Sequence, residues 1–115
     1  MKEFKINFHL ADSEFMTALR LAVGAVCSAA DLDVDAAEDM KVCVTESCLI
    51  LKSCGFDCAE ILLKTEGGFK AEVTGVGGKP VACDNEFSLA LMSALVSSLE
   101  ISRSGEAVEK LTLAL

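Results

Sequence analysis

Two hydrophobic periods alternate along this chain in a fixed order, and that order constrains its fold more than any other feature. Residues 2–10 set Phe4, Ile6, Phe8 and Leu10 against Lys5, Asn7 and His9, the period of two that belongs to a half-buried strand. Asp12 or Ser13 can cap a following helix, whose apolar face is Phe15, Leu19, Ala22, Val23 and Val26 and which fades near Ala30. The acidic stretch 31–35 leads to a second helix, capped by Asp33 or Asp35, with Glu38 and Asp39 in its first turn, where negative charge is favoured. That helix runs to Cys54 and stops at Gly55. Strands are expected over 58–66 and 69–74 around the Gly67-Gly68 turn, then a third helix over 87–99. A closing hairpin pairs 100–104 with 107–113 around Ser104-Gly105-Glu106. The order β-α-α-β-β-α-β-β predicts an α+β fold, a two-layer sandwich. Its sheet is expected to be mixed but mostly antiparallel, covered on one face by about three helices.

Length and charge narrow the function. With 115 residues the chain is expected to form a single domain over 1–115. Its 52% hydrophobic content supports a packed core and excludes a disordered regulator. Eighteen acidic residues against ten basic ones give a net charge of -8. A surface that acidic repels phosphate backbones and anionic lipid, so neither nucleic acid nor a membrane surface is an expected partner. No apolar run approaches the ~20 residues of a membrane span; the longest, 87–99, is interrupted by Ser88, Ser93, Ser97 and Ser98. The first five residues carry no signal-peptide pattern, and a cytoplasmic location is expected. The six cysteines, Cys27, Cys43, Cys48, Cys54, Cys58 and Cys83, contain no C-x-x-C pair, and His9 is the only histidine. That spacing excludes the usual zinc sites, and free structural thiols are expected, with no metal site.

The second helix carries the informative side chains. On a helical wheel Met40, Val44 and Leu51 share one side, with Cys43, Ile50 and Cys54 beside them and Val42 and Leu49 extending the apolar surface. Glu38, Lys41, Thr45 and Lys52 form a solvated strip. Asp39, Glu46 and Ser53 form a second, narrower polar stripe at seven-residue intervals. Two readings of Glu46 stay open. In one, the stripe reaches solvent at the edge of the packed face or Glu46 caps a backbone donor; in the other, Glu46 lines a cleft in which it orients or deprotonates a ligand. Gly75-Val76-Gly77-Gly78-Lys79-Pro80 is the one glycine-rich loop. It matches neither a P-loop, since no Gly-Lys-Ser or Gly-Lys-Thr follows, nor the dinucleotide fingerprint.

Taken together, these segments resemble a known family. Asp39-Met40-Lys41-Val42-Cys43-Val44-Thr45-Glu46-Ser47-Cys48, the spacing to Gly75-x-Gly77, and the helix and hairpin of 91–115 are similar to bacterial anti-sigma factors of the serine-protein-kinase type. These are small members of the GHKL (histidine-kinase-like, Bergerat-fold) ATPase superfamily. The resemblance implies the histidine-kinase-like ATPase fold over nearly the whole chain. It places Glu46 at the general-base position and Ile50 where the family has a magnesium-binding asparagine. Val73 stands for the aspartate that binds the adenine amino group. Gly75 and Gly77 keep the family's glycines, Ser88-Leu89-Ala90 replaces its Gly-x-Gly lid motif, and Lys79 is the cation nearest the loop.

The resemblance therefore implies a regulatory protein of the serine/threonine-kinase type that acts by protein–protein binding, with ATP binding lost or weakened. Its implied partners are a sigma factor or an anti-anti-sigma protein, together with a second copy in a homodimer. Two alternatives stand beside it. One is an active ATP- and magnesium-dependent kinase, in which Glu46 activates the substrate hydroxyl and Lys79 assists the phosphates. The other is a small-ligand module using a vacated pocket lined by Ile50 and Val73.

Overall fold

A computed structural model describes residues 2–115. Strand β1 (Glu3–His9) leads through a 3-10 turn (Ser13–Phe15) into α1 (Met16–Ala29), and α2 (Val34–Ser53) follows. Then come β2 (Cys58–Lys64), β3 (Lys70–Val76), α3 (Glu86–Leu95), β4 (Ser98–Ser104) and β5 (Ala107–Ala114). The element order is the expected one. The third helix begins one residue earlier than expected and ends at Leu95, because Ser98 and Leu99 are taken into β4.

The five strands lie in the order β1-β2-β3-β5-β4 and every neighbouring pair is antiparallel. The expectation of a mixed sheet is corrected here. Strands β3 and β4 do run in the same direction, but β5 returns from the last hairpin and inserts between them. Alternation along the central strands shows which face is covered. In β2, Ala59, Ile61 and Leu63 are buried while Cys58, Glu60, Leu62 and Lys64 are only half-buried. In β3, Ala71, Val73 and Gly75 are buried. The helices lie on that face, and the other carries polar and charged side chains, the arrangement of a two-layer α+β domain.

Both long helices end in the same way. After α1 the chain reverses at Asp31, which has φ +60; Asp31 N donates to Ser28 O at 3.0 Å and Leu32 N to Cys27 O at 3.1 Å. After α2, Gly55 takes the left-handed position; Gly55 N donates to Lys52 O at 3.1 Å and Phe56 N to Leu51 O at 3.2 Å. These paired bonds satisfy carbonyls that a helix end leaves open. At the start of α2, the Asp33 side chain accepts from Ala36 N at 2.8 Å, which resolves the two expected caps in favour of Asp33. At α1, Asp12 makes no side-chain cap bond and the 3-10 turn intervenes. Phe15 therefore stands exposed at the junction, and the buried stripe of α1 is Leu19, Val23 and Cys27.

No helix among the described residues is long and apolar enough to cross a membrane. On the open face of the sheet, Glu72 receives Lys64 Nζ at 2.5 Å and Lys110 Nζ at 2.9 Å. The Lys64 and Lys110 hydrogen bonds hold its carboxyl below the ordinary value of 4.5. Its contribution to stability is therefore fully present above that value and is lost as pH falls through the lower folded one. Glu72→Gln is expected to flatten the acid limb of a stability–pH curve measured by urea unfolding, at a cost below about 1 kcal/mol at neutral pH.

Candidate functional site

Helix α2 positions most of the residues singled out in the sequence, and its rotation decides what each can do. Helix α1 packs over Lys41 and Thr45. The open side of Gly24 faces the Lys41 stem, and Arg20 Nε donates to Thr45 Oγ1 at 3.3 Å. Thr45 Oγ1 in turn donates to Lys41 O at 2.8 Å, and Lys41 Nζ meets Glu38 at 2.9 Å. Thr45 is therefore buried, which corrects its assignment to a solvated strip. The arc of α2 left to solvent is centred instead on Val42 and Leu49, which are 39% and 45% exposed, where an extension of the apolar packing was expected. Met40, Cys43, Val44, Ser47, Cys48, Ile50 and Leu51 make up the buried remainder.

Glu46 sits half-buried at the margin of that arc. It lines a groove of about 300 Å³ with Arg20, Glu38, Lys41, Val42, Thr45 and Leu49. Asp39 is half-buried and Ser53 exposed, so the seven-residue polar stripe reaches solvent at the edge of the packed face. Neither Ile50 nor Val73 lines the Glu46 groove. Both belong to the core: Ile50 is 2% exposed, and Val73 is 0% exposed between Ile61 and Leu111 on the neighbouring strands.

The glycine loop is held by the end of α2. Gly75 lies under the Phe56 ring, close enough that an added Cβ would stand 2.5 Å from the ring's Cγ. Beyond β3, Lys79 N donates to Gly55 O at 3.2 Å and Val81 N to Cys54 O at 2.8 Å. The backbones meet so closely that a Cβ on Gly78 would stand 2.1 Å from Gly55 O, and one on Gly55 2.3 Å from Lys79 O. Gly77 faces the Asp57 side chain, and the Lys79 side chain is exposed.

A disulfide joins Cys54 to Cys83 across the same corner, with Cα atoms 5.4 Å apart. This corrects the expectation that all six cysteines are free. Six cysteines allow 15 full pairings, and no local signal marks this one; it forms because the loop after β3 folds back onto α2. Cys27, Cys43, Cys48 and Cys58 are free, as expected. Burial pushes the Cys43 thiol up to about 11 and the Cys48 thiol to about 12.

The structure thus divides the candidate residues among three places. Glu46 lies on an outer groove, Ile50 and Val73 in the core, and Gly75, Gly77 and Lys79 at the α2 corner. The residues present do not fit a magnesium nucleotide held in the way the resemblance implies. Isoleucine offers no oxygen to a hard cation, and a buried valine offers no acceptor to an amino group. Among the described residues no group of three or more His, Cys, Asp or Glu is arranged to hold a metal ion. Sequence reasoning missed Arg20, Phe56 and the Gly55–Gly78 contact. Only Gly55 carried a signal, as a helix stop. Compared with models of known protein families and with curated protein sequences, the chain matches none.

Gly78→Ala is expected to cost about 1–3 kcal/mol in chemical unfolding, because φ +71 and the Gly55 carbonyl both oppose a side chain there. The same variant should be cut faster by protease within residues 79–85.

Proposed function

We propose that this chain is a regulatory, protein-binding domain similar to the anti-sigma kinases, in which the nucleotide chemistry has been given up. The observation that carries this reading is the filling of the positions a nucleotide would need. Ile50 and Val73 pack into the core, and Phe56 lies over Gly75. Glycines that cradle phosphates need open backbone in front of them, and here that backbone is engaged by residues 54–57 of the chain itself. The Glu46 carboxylate lies on a groove shared with Arg20 rather than beside the glycine loop, so it serves contact rather than proton transfer.

A binding face is available along the seam of α1 and α2. Two adjoining grooves there share Glu38 and Lys41 and are bordered by exposed Leu21, Val34, Val42 and Leu49. Single exposed apolar residues are ordinary, but a row of them along one seam supports a protein partner. A sigma factor or an anti-anti-sigma protein is the partner class that accords with the resemblance. Self-association belongs to the same reading. Strand β1 is an edge of the sheet, and beside it runs an apolar groove of about 450 Å³ lined by Phe4, Ala22, Ala25, Val26 and Ala29 among others. An unpaired edge is a template for another strand.

Titration calorimetry with Mg-ATP and Mg-ADP at millimolar concentration is expected to give no saturable heat; saturable binding would overturn the loss of nucleotide chemistry. Leu49→Arg is expected to leave unfolding stability within about 0.5 kcal/mol. It should abolish capture of whichever sigma factor or anti-anti-sigma protein of the same genome the unaltered protein binds, whereas Glu46→Ala should weaken that capture without altering any phosphate transfer.

A further inference from the structure

At the end of the sheet remote from the α1–α2 turn, strands β1 and β2 bring the chain's only histidine against a free cysteine. His9 and Cys58 are direct cross-strand partners. The Cys58 thiol lies 3.4 Å from His9 Nδ1, within reach to donate to it. Both side chains occupy the sheet face that no helix covers, with His9 exposed and Cys58 half-buried. A groove of about 420 Å³ opens beside them, and its wall includes Lys52, Phe56 and Asp57.

We propose that Cys58 is a modification site that takes up small disulfides bearing both carboxylate and ammonium groups, with His9 as the base. The reaction balances as a thiol–disulfide exchange. The Cys58 proton passes to His9 Nδ1, and the thiolate sulfur attacks one sulfur of the incoming disulfide. The incoming S–S bond breaks and a mixed disulfide forms on Cys58; the departing thiolate takes the proton back from the imidazolium. The protein thiol is oxidised and one half of the small disulfide is reduced to a thiol. Rate in such an exchange depends on thiolate supply and on access; here an imidazole nitrogen stands within reach of the thiol and a groove opens beside it.

The other sulfurs are excluded by their surroundings. Cys27, Cys43 and Cys48 are fully buried, and burial raises all three thiols. Cys54 and Cys83 are joined to each other. The groove also points to the ligand class, since Lys52 and Asp57, one residue of each charge, are among its lining and suit a zwitterionic peptide disulfide. The charged and titratable groups placed around the thiol are His9 across the pair, Lys52 and Asp57 in the groove, and Glu60 two residues along the same face. On the other side its cross-strand neighbour is Val76, which carries no charge. This inference does not depend on the protein-binding role.

The test is incubation of the full chain with oxidised glutathione, read by intact mass and peptide mapping, with bis(2-hydroxyethyl) disulfide as an uncharged second probe. One adduct is expected, on Cys58, and none in Cys58→Ser. His9→Gln should slow the reaction on the order of tenfold at neutral pH, with the difference closing at alkaline pH, where hydroxide replaces the imidazole as the base. A purely structural role for His9 would not produce that pH dependence. Lys52→Gln should slow reaction with oxidised glutathione and leave the uncharged disulfide unaffected. No adduct, an adduct on any other cysteine, or a His9→Gln rate equal to the unaltered protein's at every pH would overturn the site. Equal effects of Lys52→Gln on both probes would overturn the ligand class.

Discussion

The contact between Gly55 and Gly78 ties the end of α2 to the loop after β3, and much of the rest is arranged by it. Two backbones approach there with no room for a side chain on either. That approach ends α2, starts the run into β2, and seats the loop that follows β3. The hydrogen bonds from Lys79 and Val81 and the Cys54–Cys83 link all fall within the same few residues. A loop tied at so many points has little backbone left to offer a ligand. The glycines that would give it phosphate-binding freedom are used to let the chain touch itself.

The same economy applies to α2. A helix covered by α1 on one flank, α3 on another and the sheet beneath has one arc for solvent, and here that arc carries Val42 and Leu49. Apolar side chains on the one open arc of a central helix leave a large part of their surface in water. Their presence there accords with the protein-binding face proposed above. Glu46 at the edge of that arc, with Arg20 in its groove, places charge of both signs beside the apolar row. Such a mixture sets orientation and specificity in an interface more than raw affinity.

Much of the fold was legible in the sequence because period and turn chemistry are local properties. The shift from alternation at Phe4, Ile6 and Phe8 to helical spacing at Leu19 and Val23 needs only neighbouring residues to read. Gly55 as a helix stop and Gly67-Gly68 as a hairpin turn are equally local. The candidate site was less legible. Helical spacing shows which residues share a side of α2 but not which side meets α1. A rotation set by Gly24 against Lys41 moved Thr45 inward and Val42 and Leu49 outward. The sequence ended the strand at Thr74 and put Gly75 with Gly77 in one glycine-rich loop, whereas Gly75 is still in β3, paired with Ala59; nothing near them announced that Phe56 would cover one and that Asp57 would face the other.

By itself, the sequence determined the element order, the helix stop at Gly55, the turns and the capacity for a core, since each follows from spacing or from a residue's own backbone preference. Only the tertiary structure decided that β5 lies between β3 and β4, that Cys54 meets Cys83, that His9 stands opposite Cys58, and that Ile50 and Val73 are core. Those are meetings between residues far apart along the chain. Their partners are chosen by how whole helices and strands pack, and no short stretch of sequence carries that information.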